Sequence, residues 1–156
     1  MFRRDRSEEA GQAFVELALV FPIFTVLVLG AAEFGRLAYA AIEISNAARA
    51  GVSYAAQSHT TAGDGTNISL AATNEAPEIA SLTVTPSYLC SCEGTTGSVP
   101  TPGSCTGVDT TSCVSPNRIV LFVQVNTSAP VNTLFHFPGI PNSVTLTGKA
   151  IMRVEQ

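Results

Sequence analysis

One run of residues limits what this chain can fold into. From Ala13 to Ala32 (AFVELALVFPIFTVLVLGAA) there are twenty residues with a single charge, Glu16, and Leu17 to Ala32 carry none. Coiled as a helix, such a run spans about 30 Å, the thickness of a bilayer's hydrocarbon core. Backbone that crosses hydrocarbon must satisfy its own hydrogen bonds, so an isolated span of this kind is helical. Charged residues make up only 13% of the chain, against ~25% in ordinary soluble domains, which fits a segment that resides outside water. Three of the eight basic residues, Arg3, Arg4 and Arg6, fall in the first six positions. Short basic flanks stay cytoplasmic, and the interspersed Asp5, Glu8 and Glu9 count little, so the expected topology has the N-terminus inside and the rest of the chain outside. The net charge is -4, and no second basic cluster points to a nucleic acid partner.

A secretory signal peptide is the competing reading, with Leu17 to Leu29 as its apolar region and Gly30-Ala31-Ala32 as its cleavage site. Against it stands the next segment, EFGRLAYAAIEISNAARAGVSYAA, which continues in helical period without a breaker. Phe34, Leu37, Ala41, Ile44, Ala48, Val52 and Ala55 recur at spacings of three or four and form one apolar stripe. A cleaved signal peptide needs no such continuation. The expected element is a single helix from Ala13 to Ala56, about 66 Å long at 1.5 Å per residue. Pro22 is expected to kink it, a distortion that membrane helices tolerate.

The 156 residues suit one domain plus an anchor, and there are no internal repeats. Gln57 to Thr66 reads as a polar, glycine-rich loop, and Asn67 to Ala76 as a short helix stopped by Pro77. Three strand patterns follow. Leu82, Val84 and Tyr88 alternate with polar residues; Ile119 to Val125 is apolar on both faces, as a central strand is; and Ser143 to Glu155 alternates cleanly except at Ile151. The expected fold class is α+β: a long N-terminal transmembrane and amphipathic helix packed on a small antiparallel sheet. LFHFPGI, Leu134 to Ile140, is broken by Pro138 and Gly139; it reads either as a loop folded back on the core or as an exposed contact for a partner subunit.

Between the first two strand patterns, Leu89 to Asn117 is rich in Gly, Ser, Thr and Pro and holds all four cysteines, Cys90, Cys92, Cys105 and Cys113. A connection of that length needs tying down. Outside the membrane, an even cysteine count in a small domain reads as disulfides. A Cys90–Cys92 bridge closes a strained ring, so the expected pairings run from these two to Cys105 and Cys113. The competing four-thiolate zinc site lacks the usual paired knuckles, and no neighbouring base or cation marks the C-x-C as redox-active.

Other motifs carry little. His59 and His136 are isolated and read as polar surface residues. Gly63-Asp64-Gly65 lacks the further acidic ligands of a calcium loop and fits turn chemistry better. Asn67-Ile68-Ser69 and Asn126-Thr127-Ser128 match the glycosylation pattern, which arises often by chance. No nucleophile elbow, phosphate loop, zinc-protease or dinucleotide motif occurs, so the chain reads as a non-enzyme without cofactor or metal.

Glu16 is the residue that bears most on function. An ionisable side chain inside an apolar span costs about 2–3 kcal/mol on insertion scales and is a functional candidate by default; the bland alternative is that it snorkels to the interface three residues away. Gly11 and Gln12 precede it. A cut between them makes Glu16 the fifth residue of the mature chain, at the head of the apolar helix. A charged leader, a glycine and a glutamate five residues after the cut resemble the processing site of type IV pilins and pseudopilins. The wider stretch GQAFVELALVFP, with LGAAEFGRLAYA and SNAARAG after it, resembles the TadE-like pseudopilins of tight-adherence (Tad) pilus systems from Gly11 to about Ala56, and the MRVE ending at Met152 to Glu155 does so more weakly.

The resemblance implies a leader at 1–11 removed by prepilin peptidase; together with the span and the cysteines read above, the expected organisation is a transmembrane helix at 12–32 and an extracytoplasmic pilin-like domain at 33–156 with a disulfide loop at 90–113. It implies a minor pilin-like subunit for assembly of a Tad/Flp-type adhesive pilus, resident in the inner membrane. Its partners would be other pilin and pseudopilin subunits, the prepilin peptidase and the inner-membrane assembly platform. Two features depart from the family pattern: Leu17 follows Glu16 where Tad pilins commonly have tyrosine, and the Cys90–Cys113 loop lies outside the motif. The alternative function is a secreted or membrane-anchored binding module with a disulfide-stapled loop.

Overall fold

A computed structural model describes residues 6–92, 119–135, 139 and 141–155 of the chain. The elements run in the order α1 (Arg6–Ala55), α2 (His59–Ala62), α3 (Gly65–Glu75), β1 (Thr83–Cys92), β2 (Ile119–Asn132) and β3 (Ser143–Arg153). Two units divide the chain, Met1–Ala38 and Tyr39–Gln156. The architecture is α+β, a long apolar N-terminal helix with a small antiparallel sheet, as the periodicities imply.

In the first unit α1 starts at Arg6, seven residues before the apolar run. Between Arg6 and Gln12 the residues are good helix formers apart from Ser7 and Gly11, and a helix already nucleated by the apolar run extends at little cost. The helix continues through Pro22, and the Thr25 hydroxyl donates to the Phe21 carbonyl at 2.8 Å in the turn around it. Phe14, Leu19, Phe21, Ile23, Phe24 and Leu27 are all exposed. A helix apolar all round with no protein cover belongs in apolar surroundings. By length and composition it is able to cross a membrane.

In the second unit α1 becomes one-sided. Ala40, Ile44, Ala47, Ala48, Val52 and Ala55 are buried, so the lower part of the expected stripe forms the core. Phe34, expected in that stripe, is instead 76% exposed. The period alone does not say where along a continuous helix the packing begins. Val52 and Ala55 pack with Ala62 of α2, Ile68 of α3, Val123 and Val125 of β2, and Val154 just past β3. A second cluster joins Ala47 to Ala72 and Ala76, with Ile79, Leu82 and Val84 against it.

The expected loop at 57–66 is largely helical. Ser58 caps α2 by accepting from the Thr61 backbone N–H, and the Thr61 hydroxyl accepts from the Ser58 N–H, a reciprocal cap. Asp64 caps α3, accepting from the Asn67 N–H at 3.0 Å and from the Asn67 amide at 2.6 Å. Those bonds to the ionised form hold the Asp64 carboxyl below its ordinary range.

The sheet is antiparallel in the order β1-β2-β3, with β2 in the centre. Both faces of β2 are buried, Val123 and Val125 toward α1, Val120 and Gln124 on the other side. β1 and β2 outrun the sequence expectation. Leu89 to Cys92 pair with Phe122 to Ile119, so the strand reaches through Cys90 and Cys92, which the sequence had placed in the connecting loop. β2 continues past Val125 to Asn132 through Asn126, Thr127 and Ser128. Pro130 is tolerated because β1 begins opposite Ser128, leaving only β3 to pair with that stretch.

Helix and sheet come into close contact at Gly148. A Cβ there would sit 2.6 Å from the Ile44 carbonyl oxygen and from Thr127 Oγ1, and 2.9 Å from Ser45 Cα. Beside it the buried Thr127 hydroxyl donates to the Ile44 carbonyl at 2.7 Å. Glycine lets β3 pass beneath α1, and threonine fixes the helix to the sheet at that point.

Candidate functional site

Gly11, Gln12 and Glu16 lie on consecutive turns near the start of α1, all exposed. Residues four apart share a helix face, and the Gln12 amide Nε2 donates to Glu16 Oε1 at 3.1 Å. Gly11 has no heavy atom within 4 Å of where a Cβ would stand, so no packing requirement explains the glycine there. The backbone across 11 and 12 is helical, whereas a peptidase binds its substrate extended.

Past the apolar run the first charges form a pair, Arg36 Nη2 to Glu33 Oε1 at 2.8 Å, one turn apart. Sequence reasoning ended the span at Ala32 but did not single this pair out, although an i, i+3 pair of opposite charges directly after an apolar run is a visible signal. Three residues past Arg36, at the start of the second unit, Tyr39 hydrogen-bonds to Glu43. That bond, with the negative charges of Glu43 and Glu78, holds the phenol above its ordinary range.

The cysteine segment is a second candidate. Cys90 is disulfide-bonded and lies opposite Leu121 of β2; Cys92 closes β1 opposite Ile119. Cys105 and Cys113 lie outside the described residues, as does His136 of the LFHFPGI segment; the expected pairing stays an expectation. Leu134 of that segment is 61% exposed. His59 is exposed in α2. Among the described residues no three His, Cys, Asp or Glu side chains group as metal ligands. An open cleft of about 430 Å³ is lined by Ser53, Ala56, Gln57, Met152, Arg153 and Glu155, where α1 and the end of β3 meet.

Residues 11–53 fit the family model described as TadE-like protein. The match begins at the glycine of the candidate processing site, takes in Glu16 and the whole apolar run, and ends within the part of α1 that packs on the sheet. The resemblance read from GQAFVELALVFP and SNAARAG is thereby met over residues 11–53, a match consistent with a TadE-like protein of Tad pilus systems. No curated protein and no solved structure matches.

Proposed function

We propose that this chain is a minor pilin-like (pseudopilin) subunit of a Tad-type pilus system, anchored in the inner membrane by α1 with its sheet domain outside and matured by prepilin peptidase between Gly11 and Gln12. The observation that carries the reading is the placement of Glu16: a carboxylate at the head of an exposed, wholly apolar helix, in the segment that matches the TadE-like family. Cutting after Gly11 puts a new amine at Gln12, one turn from Glu16. A charge in apolar surroundings is costly alone and tolerable when paired, so the Glu16 of one subunit suits the Gln12 amine of its neighbour. Other pilin and pseudopilin subunits, the peptidase and the inner-membrane assembly platform are the partners this reading requires.

The mature mass tests it. Cleavage after Gly11 leaves 145 residues beginning at Gln12, and Gly11→Leu should block that cut while leaving membrane insertion intact, because a bulky side chain obstructs the peptidase at the scissile bond. A mature chain beginning at Glu33 would instead identify α1's apolar run as a cleaved secretory signal and favour the binding-module function. Normal processing of Gly11→Leu would also overturn the proposal.

A further inference from the structure

The scissile bond of the proposed maturation lies inside an unbroken helix. α1 starts at Arg6, so the Gly11–Gln12 bond has more than a turn of helix on its N-terminal side and the whole span on the other. Proteases read extended backbone, in which the amide and carbonyl groups are free to pair with the enzyme; in a helix those groups are already paired internally. Cleavage therefore needs a stretch of α1 to open first. We propose that local unwinding of α1 from Arg6 to Gln12 governs the rate of maturation, with Gly11 as the residue that makes this opening easy. The inference rests on the proposed cut after Gly11 and adds to it what controls the cut.

Three observations support it. Gly11 is exposed with nothing near its missing Cβ, so the glycine is not there to admit a neighbouring element. What a glycine does in an exposed helix interior is weaken it, through the freedom its backbone regains on opening. Opening from the leader end is also the less costly direction. It frees at most seven residues, Arg6 to Gln12, whereas opening from the other side breaks the apolar span, whose backbone groups have no water to turn to. The Gln12–Glu16 hydrogen bond, finally, ties the residue after the cut to the turn beyond it, so the opened stretch ends at Gln12 and presents the Gly11–Gln12 bond at the junction.

The prediction separates helix strength from the size of the residue at the cut. Ala10→Gly leaves Gly11 and Gln12 untouched and loosens the same turn. In cells that carry a prepilin peptidase, pulse-chase of the full chain should show mature protein appearing about two- to fivefold faster, the upper figure being the factor by which glycine weakens an exposed helix relative to alanine. Gly11→Ala should slow maturation by a similar factor, and adding Ala10→Gly to it should recover most of the lost rate. Amide hydrogen exchange of the full, uncleaved chain in detergent should rank protection over residues 6–12 in the opposite order to the rates. An unchanged or slower Ala10→Gly overturns the inference while leaving the cut itself in place, since the wild-type mature mass still begins at Gln12. A wild-type mature chain that begins elsewhere overturns both.

Discussion

Gly148 and Thr127 show how much can rest on a single residue. The helix and the sheet meet where β3 has no side chain and β2 offers a hydroxyl, and the two act on the same carbonyl, that of Ile44. Gly148→Ala has to push a methyl against α1's main chain, since two of the three atoms it meets, the Ile44 carbonyl oxygen and Ser45 Cα, belong to it. Such overpacking costs about 1–3 kcal/mol and occasionally more. Chemical denaturation of the detergent-solubilised protein, followed by far-UV circular dichroism, should show the midpoint fall accordingly; an unaltered midpoint would mean α1 can rise off the sheet freely. The alternation from Ser143 was legible as a strand with one buried face, and Gly148 falls in phase with that face. That the glycine marks the crossing point was not legible, because the signal lies in what packs over it and not in the strand.

Asp64 is a residue of the opposite kind, at the surface and open to pH. Its folded carboxyl titrates below the ordinary value of 3.8 because it accepts bonds from Asn67. A lowered folded pKa means the charged cap stabilises α3 fully above that ordinary value, and that the contribution is lost as pH falls through the lowered one. Asparagine caps nearly as well without titrating. Asp64→Asn should therefore leave stability near neutral pH almost unchanged and make the acid limb of the stability curve shallower, which thermal melts at stepped pH will show. An acid limb of unchanged steepness would mean that other carboxylates set it. The sequence read this residue as turn chemistry, yet missed that the turn opens a helix at Gly65, because glycine in the first turn argues against one on propensity alone.

At the scale of elements, the strands were legible in kind and not in length. Ile119 to Val125 announced a central strand by being apolar on both faces, and β2 is central. Its extension to Asn132 was hidden because Asn126, Thr127 and Ser128 look like a loop; Thr127 is buried only because Ile44 supplies its partner. The ends of β1 were hidden for a related reason. Cys90 and Cys92 stand among small polar residues, and only the register against Leu121 and Ile119 makes them strand. The disulfide at Cys90 therefore leaves from the sheet itself, not from the middle of a loop. Replacing all four cysteines with serine should lower the domain's stability by roughly 2–5 kcal/mol per lost bridge at most. Because β1 keeps its ladder to β2, membrane insertion and maturation should persist, as judged by membrane fractionation and mature mass. Complete loss of membrane-inserted protein would make the segment from Cys90 to Cys113 part of the folding core.

At the scale of the whole molecule, one helix carries two environments in sequence: exposed and apolar all round through the span, then one-sided against a sheet. The run of apolar residues made the first part legible and the period of three and four made the second, while the start at Arg6 was not legible because the charges ahead of Gly11 look like a solvated tail. Glu16 stands at the head of the first environment, and the role proposed for it belongs to the assembly and not to the chain. Glu16→Ala makes the span more apolar, so insertion should if anything improve. The scissile bond keeps its glycine and lies five residues away, so cleavage after Gly11 should stay largely intact. What disappears is the counter-charge for a neighbouring subunit's Gln12 amine, which would then sit unpaired at the edge of the apolar layer. A glutamate that only snorkels to the interface predicts no such defect. The experiment is to express Glu16→Ala in a strain lacking the native copy, measure the mature mass and count surface pili. The expected result is a chain beginning at Gln12 with few pili; abundant normal pili on correctly processed protein would show that assembly does not depend on this carboxylate.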